Sequence, residues 1–176
     1  RLDAIATVPA MSFAQAISAF TGQNIGANKQ GRIRSGLTST LKMMTLVTVF
    51  TTLFIVIGGK FMISLFTNDF EVIRLGAQYL TIVSLFYIFF TLMFIYSGVM
   101  RGAGDSVVPM FISLLSLWLI RIPFAWIMSG KIGVTGIWWA IPAGWMVGLI
   151  LSYGYYKTGH WKKKAVVKYV EEFEVT

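Results

Sequence analysis

The sequence has no cysteine, one histidine and seven acidic residues among its 176, and each scarcity excludes some chemistry. Without cysteine there is neither a disulfide framework nor a thiolate metal site, although this fixes no compartment. His160, in a basic stretch outside every apolar run, reads as a solvated imidazole rather than a general base. Asp3, Asp69, Glu71 and Asp105 fall in loops or at a terminus, and Glu171, Glu172 and Glu174 fall in the tail. An acid–base pair, a nucleophile with its base or a metal cluster cannot be assembled from that set, so a membrane enzyme lacks its machinery. The GxxxxGK[ST] loop that ATP hydrolysis would use is also missing.

Apolar residues are what the chain has instead. It is 56% hydrophobic and 12% charged, with a mean hydropathy of +0.72, whereas soluble domains carry about a quarter charged residues. The composition is that of an integral membrane protein. A net charge of +8 invites a nucleic-acid reading, but the Lys and Arg residues stand between or after apolar runs. They form no basic, aromatic-interleaved surface, so the chain takes no nucleic-acid partner and the basicity is a topology signal.

Five runs, 4–22, 37–66, 72–100, 107–128 and 137–156, are of span length, since about 20 residues cross a ~30 Å hydrocarbon core. Lipid leaves no partner for exposed backbone groups, so each run is expected to be a closed helix. The fold class is all-α integral membrane, with a basic tail over 157–176. The first run is the most polar, and Thr7, Met11, Gln15, Ser18 and Gly22 recur on one helical face. Such a stripe turns toward other helices or a water-filled cavity, and Gln15 is either packing glue or a substrate contact. Pro9 invites a bend. Tyr87 lies mid-span in a third run that holds no acid, and its hydroxyl needs a partner or water. Arg121 sits well inside the fourth run. It either snorkels or pairs structurally, or it takes a direct part in moving substrate or ions. In the fifth run Gly144 and Gly148 have the spacing of close helix contact, and Trp138 and Trp139 stand where an interfacial belt would lie.

Between runs three and four, Arg101-Gly102-Ala103-Gly104-Asp105 reads as a tight turn. Glycine supplies the positive dihedrals, and Asp105 can N-cap the helix that opens toward Pro109. Two readings stand, a capped turn or a cytoplasmic hinge that moves with its flanking helices. Orientation follows from the basic residues. Lys29, Arg32, Arg34, Lys42, Arg101, Lys157, Lys162, Lys163, Lys164 and Lys168 share one side, against Arg1, Lys60, Arg74, Arg121 and Lys131 on the other. The richer side is expected in the cytoplasm, with the C-terminus inside and Arg1 outside. A chain that starts outside, with neither an initiator Met nor a signal sequence, is expected to be the C-terminal part of a larger protein.

Four segments carry a resemblance: GQNIGAN at 22–28, YSGVMRGAGDSVVPM at 96–110, RIPFAW at 121–126 and TGHWKKK at 158–164. In this order and spacing the chain resembles the multidrug and toxic compound extrusion (MATE) family of secondary transporters over nearly its whole length. The resemblance implies a twelve-helix transporter in two lobes, of which this chain matches spans eight to twelve. The first lobe and the seventh helix of the same protein are then its partners, with membrane lipids and small organic cations. It implies a plasma (bacterial inner) membrane antiporter, driven by H+ or Na+, that exports organic cations by alternating access. No other cofactor is implied. Some members hold a coupling acid in the tenth helix; the matching run here has none, which puts the coupling ion outside this segment. The implied cavity face is Thr7, Gln15 and Ser18 with Tyr87. Gly22, Gln23, Gly26, Arg101, Gly102, Gly104 and Asp105 belong to the loop motifs. A flippase for lipid-linked sugars, from the same broad exporter group, is the alternative.

Overall fold

The computed structural model describes residues 3–164; Arg1, Lys168, Glu171, Glu172 and Glu174 lie outside them. The described chain is helical throughout: α1 (Asp3–Gly26), α2 (Gln30–Ser64), α3 (Phe70–Ser84), α4 (Tyr87–Gly102), α5 (Val107–Leu114), α6 (Arg121–Ile132) and α7 (Val134–Thr158). A π-helical segment, Leu115–Ile120, joins α5 to α6 as one rod, and a 3₁₀ turn, His160–Lys164, follows α7. Three of these helices, α2, the 107–132 rod and α7, are long and apolar enough to cross a membrane, and α3 with α4 counts as a fourth. Although α1 covers the first apolar run, it is not among them. The expected five spans are therefore not all met on length and composition.

The third run is not one helix. It breaks after Ser84, and α3 and α4 meet at a 46° bend. Neither proline nor glycine marks the place, but a tertiary bond does. The Thr52 hydroxyl on α2 donates to the Ser84 carbonyl at 2.9 Å, giving that carbonyl a partner at the break. Around it the bonding tightens, with Phe86 N–H on the Val83 carbonyl at 3.1 Å and Phe89 N–H on the Phe86 carbonyl at 3.0 Å. Such a break is tolerated in a membrane where neighbouring hydroxyls satisfy the freed groups. One turn into α4, the buried Thr48 and Thr91 hydroxyls bond to each other at 3.1 Å, tying α2 to α4 beside the break.

The rod has a different defect. Its π segment lies one turn before Pro123, whose missing N–H leaves the Leu119 carbonyl without its α-helical donor. Within the segment, the fully buried Ser116 donates its hydroxyl to the Gly144 carbonyl at 2.6 Å. Cβ atoms on Gly144 and Gly148 would press on Ser116 itself and, at Gly148, on Met93 Sδ. The pair expected to mark close helix contact does so, against the rod and α4.

The tightest packing joins α1 to α4. A Cβ on Gly98 would overlap the Ala14 carbonyl oxygen, and one on Gly102 would overlap that of Ser18. A residue on α4 thus faces the α1 residue at constant offset, so the two helices run parallel. The buried face of α1 is Ala10, Ala14, Ile17 and Thr21, small residues that admit a close neighbour. The polar stripe of Thr7, Met11 and Gln15 lies about a quarter turn away from it, with Met11 and Gln15 exposed. Replacing Gly98 by Ala should cost about 1–3 kcal/mol by overpacking. Gly31→Ala, where a Cβ meets nothing within 4 Å, should cost nothing. The unfolding midpoints of the two variants of the intact protein in detergent check this.

Candidate functional site at the basic end of the bundle

The turn after α4 is built on hydrogen bonds that end a helix. Gly104 N–H donates to the Arg101 carbonyl at 2.9 Å and Asp105 N–H to the Met100 carbonyl at 3.0 Å, with Gly104 at φ +89°. This is the glycine-terminated Schellman arrangement, which satisfies the last carbonyls and reverses the chain. The two glycines of the motif have separate tasks: Gly104 supplies the dihedral and Gly102 the close approach to α1. Asp105 follows, 3% exposed. Its Oδ1 accepts from Val108 N–H at 3.4 Å, a weak form of the expected cap. Its Oδ2 accepts from the Tyr155 hydroxyl at 2.6 Å, a short charge-assisted bond that fastens the turn to α7.

The end of α7 folds back on itself. Gly159, at φ +71°, closes the helix in the left-handed region. The Thr158 hydroxyl donates to the Tyr155 carbonyl at 2.7 Å and accepts from His160 N–H at 3.3 Å. That reversal returns Trp161 to the bundle, where it is 2% exposed. Its indole stacks on Tyr156 with centroids 5.4 Å apart, and its Nε1–H donates to the Tyr156 carbonyl at 2.9 Å. Tyr96 of α4 completes the cluster against Tyr153 and Tyr156. The basic tail expected from residue 157 therefore does not begin as free chain: Lys157 and Thr158 are helical and Trp161 is docked. His160 is exposed.

The turn from α1 to α2 reaches the same place. A Cβ on Gly22 would stand 3.2 Å from the Gly102 carbonyl oxygen. The Asn24 side chain donates to the Phe20 carbonyl at 2.8 Å, the Asn24 carbonyl accepts from Lys29 N–H at 2.7 Å, and Asn28 takes φ 55°. Asparagine tolerates that conformation better than other side chains. Three of the four motif segments thus meet at one end of the bundle. The fourth, at 121–126, lies along the rod.

Basic residues collect at this end. Lys29, Arg32, Arg34, Lys157, Lys162 and Lys164 are exposed and Arg101 is half-buried. The one ion pair among the described residues is Arg74–Glu71, at 3.3 Å, so none of this basic set is held in an ion pair there.

The remaining expected positions are scattered. Gln23 and Gly26 are exposed on the α1–α2 turn, Gln15 is exposed on α1, and Thr7 and Ser18 are half-buried on its flank. Tyr87 is 1% exposed and packs in the core with its ring 5.9 Å from that of Trp145. Arg121 is half-buried at the end of the π segment, its Cβ 3.6 Å from where a Cβ on Gly144 would stand. Sequence reasoning missed Tyr155 and Trp161. Both lie within or beside TGHWKKK, whose Gly159 was the signal for a reversal.

Comparisons with known proteins bear on the family and the fold. The family model MatE matches residues 1–127. The chain is similar to "Probable multidrug resistance protein YpnP" of Bacillus subtilis (strain 168), 32% identical over 162 residues, covering 92% of this chain and 36% of that protein. It is similar to "Probable multidrug resistance protein NorM" of Thermotoga maritima, 28% identical over 172 residues, covering 94% and 36%. It is also 26% identical over 158 residues to "Multidrug and toxin extrusion protein 1" of Homo sapiens, covering 89% and 28%. A solved structure described as the "Inward-facing conformation of a multidrug resistance MATE family transporter of the MOP superfamily" shares the fold. Its TM-score is 0.83 at 19% identity, over 94% of this chain and 39% of that one. The chain thus spans about a third of the length of the relatives it matches.

Tyr155→Phe should leave the buried Asp105 carboxylate with one long N–H bond and cost about 1–3 kcal/mol. Tyr153→Phe, which keeps the ring contact with Tyr96, should cost nothing. A lowered thermal midpoint of the intact protein for the first variant alone is the expected result.

Proposed function

The chain belongs to the MatE family, and from that premise we propose that it is the C-terminal part of a multidrug exporter that works by alternating access. The observation that carries the reading is the convergence of three motif segments in one bonded and packed end. A lobe that rocks must move as a body, and this end couples α1, α4, α5 and α7 through glycine contacts, a buried carboxylate and a docked tryptophan. We take it as a clamp that holds those helices together. The basic residues at this end support a cytoplasmic position for it, with the chain in the plasma membrane.

Organic cations are the substrate class, and influx of H+ or Na+ is the drive. Three acids among the described residues support a coupling site elsewhere in the protein. Asp69 caps α3 through Glu71 and Val72 N–H at 2.8 and 3.3 Å, Glu71 pairs with Arg74, and Asp105 is held by Tyr155. Gln15, exposed on α1 beside the α4 contact, is the side chain this segment offers to a cavity between lobes.

Cells expressing the intact parent should accumulate less ethidium than empty cells, and collapse of the ion gradients should abolish the difference. Equal accumulation despite confirmed membrane expression would contradict the export reading. Gln15→Ala should raise accumulation severalfold at unchanged membrane abundance; a loss of abundance alone would return Gln15 to a packing role.

A further inference from the structure

One feature of the basic end is not absorbed by the clamp. An open groove of about 640 Å³ runs between α1 and α2. Phe13, Ile17 and Phe20 line it from α1, and Arg32, Ser35 and Ser39 line it from α2. The lining covers about two turns of each helix, some ~10–12 Å along the axis. Its α1 wall is apolar. Its α2 wall presents hydroxyls and, in the first turn of the helix, a guanidinium that has no ion-pair partner among the described residues. At the floor, Gly36 lets α2 pass beneath the Phe20 ring, which a Cβ there would strike.

We propose that this groove binds one anionic phospholipid. The phosphate takes the Arg32 guanidinium, the Ser35 and Ser39 hydroxyls bond the glycerol ester region, and an acyl chain follows Phe13, Ile17 and Phe20. Charge complementarity decides the occupant. Lys29 and Arg34 flank Arg32 in sequence, and the one acid described at this end, Asp105, is buried and held by Tyr155. Among the described residues a zwitterionic headgroup therefore finds no exposed carboxylate for its amine, whereas a net negative one meets cations. A basic pocket between spanning helices at the membrane surface is the general form of a site for acidic lipid headgroups, and Arg suits phosphate through its planar fork. The inference rests on the membrane setting of the helices and not on the export reading.

The test uses the intact parent protein, purified in neutral detergent and stripped of lipid, with phosphatidylglycerol or phosphatidylcholine of the same acyl chains added back. Phosphatidylglycerol should raise the unfolding midpoint by several degrees more than phosphatidylcholine, and native mass spectrometry should show one retained anionic lipid. Arg32→Gln should cut that preference by more than half. Ser39→Trp, which fills the groove without changing charge, should remove the retained lipid, while Arg74→Gln at the opposite end should change neither readout. Equal stabilisation by the two lipids in the unsubstituted protein, as when another part of the protein covers the groove, would overturn the proposal. So would a full phosphatidylglycerol preference in Arg32→Gln.

Discussion

The close approach of α4 to α1 is the constraint on which the rest depends. Backbone carbonyls of Ala14 and Ser18 occupy the space that side chains at 98 and 102 would need. In lipid, helices gain little from hiding apolar surface, because acyl chains are as apolar as leucine. What holds them is contact area and hydrogen bonding at short range. The Gly98-xxx-Gly102 face supplies that contact at the point where α4 turns into α5. With α4 seated, Gly22 comes against Gly102, Tyr96 reaches the α7 tyrosines, and Asp105 is delivered to Tyr155. A side chain at 98 or 102 would displace each of these together.

Much of this end was legible in the sequence, and the reason is local. A glycine after a helix predicts a reversal whatever surrounds it, so Gly104 announced its turn, and Gly159 offered the same signal unread. Asp105 was readable as a cap, and it does bond Val108 N–H. Its stronger bond, to a hydroxyl fifty residues away, follows no local rule. The docking of Trp161 was hidden for the same cause: a lone tryptophan in a lysine-rich stretch reads as exposed until the fold supplies Tyr156. Periodicity correctly grouped the polar residues of α1 but could not say which neighbour the helix would meet. The buried face proved to be the alanine side, beside the stripe.

The two helix irregularities divide along the same line. The π segment before Pro123 has a sequence cause, a missing donor, and could have been read. The break after Ser84 has none, since Leu85 and Phe86 are ordinary helical residues. It coincides with the bond from Thr52, on another helix, to the Ser84 carbonyl. The break bends α3 against α4 by 46° and the π segment loosens the rod, while the basic end stays bonded. The structure thus combines adaptable helix middles with a fixed end, an arrangement suited to a lobe that rocks as a unit.

The most direct measurement of that fixed end is electron–electron distance spectroscopy on the intact protein in lipid. Spin labels would be placed pairwise at the exposed positions Gln23, Ser106 and Lys162, one on each motif segment. The account predicts narrow distance distributions that do not change when an ion gradient or a cationic drug is applied, while distances from these labels to the other lobe do change. Distributions among the three positions that split or shift with the transport state would contradict it, and would make the turn at Arg101–Asp105 a hinge rather than a clamp.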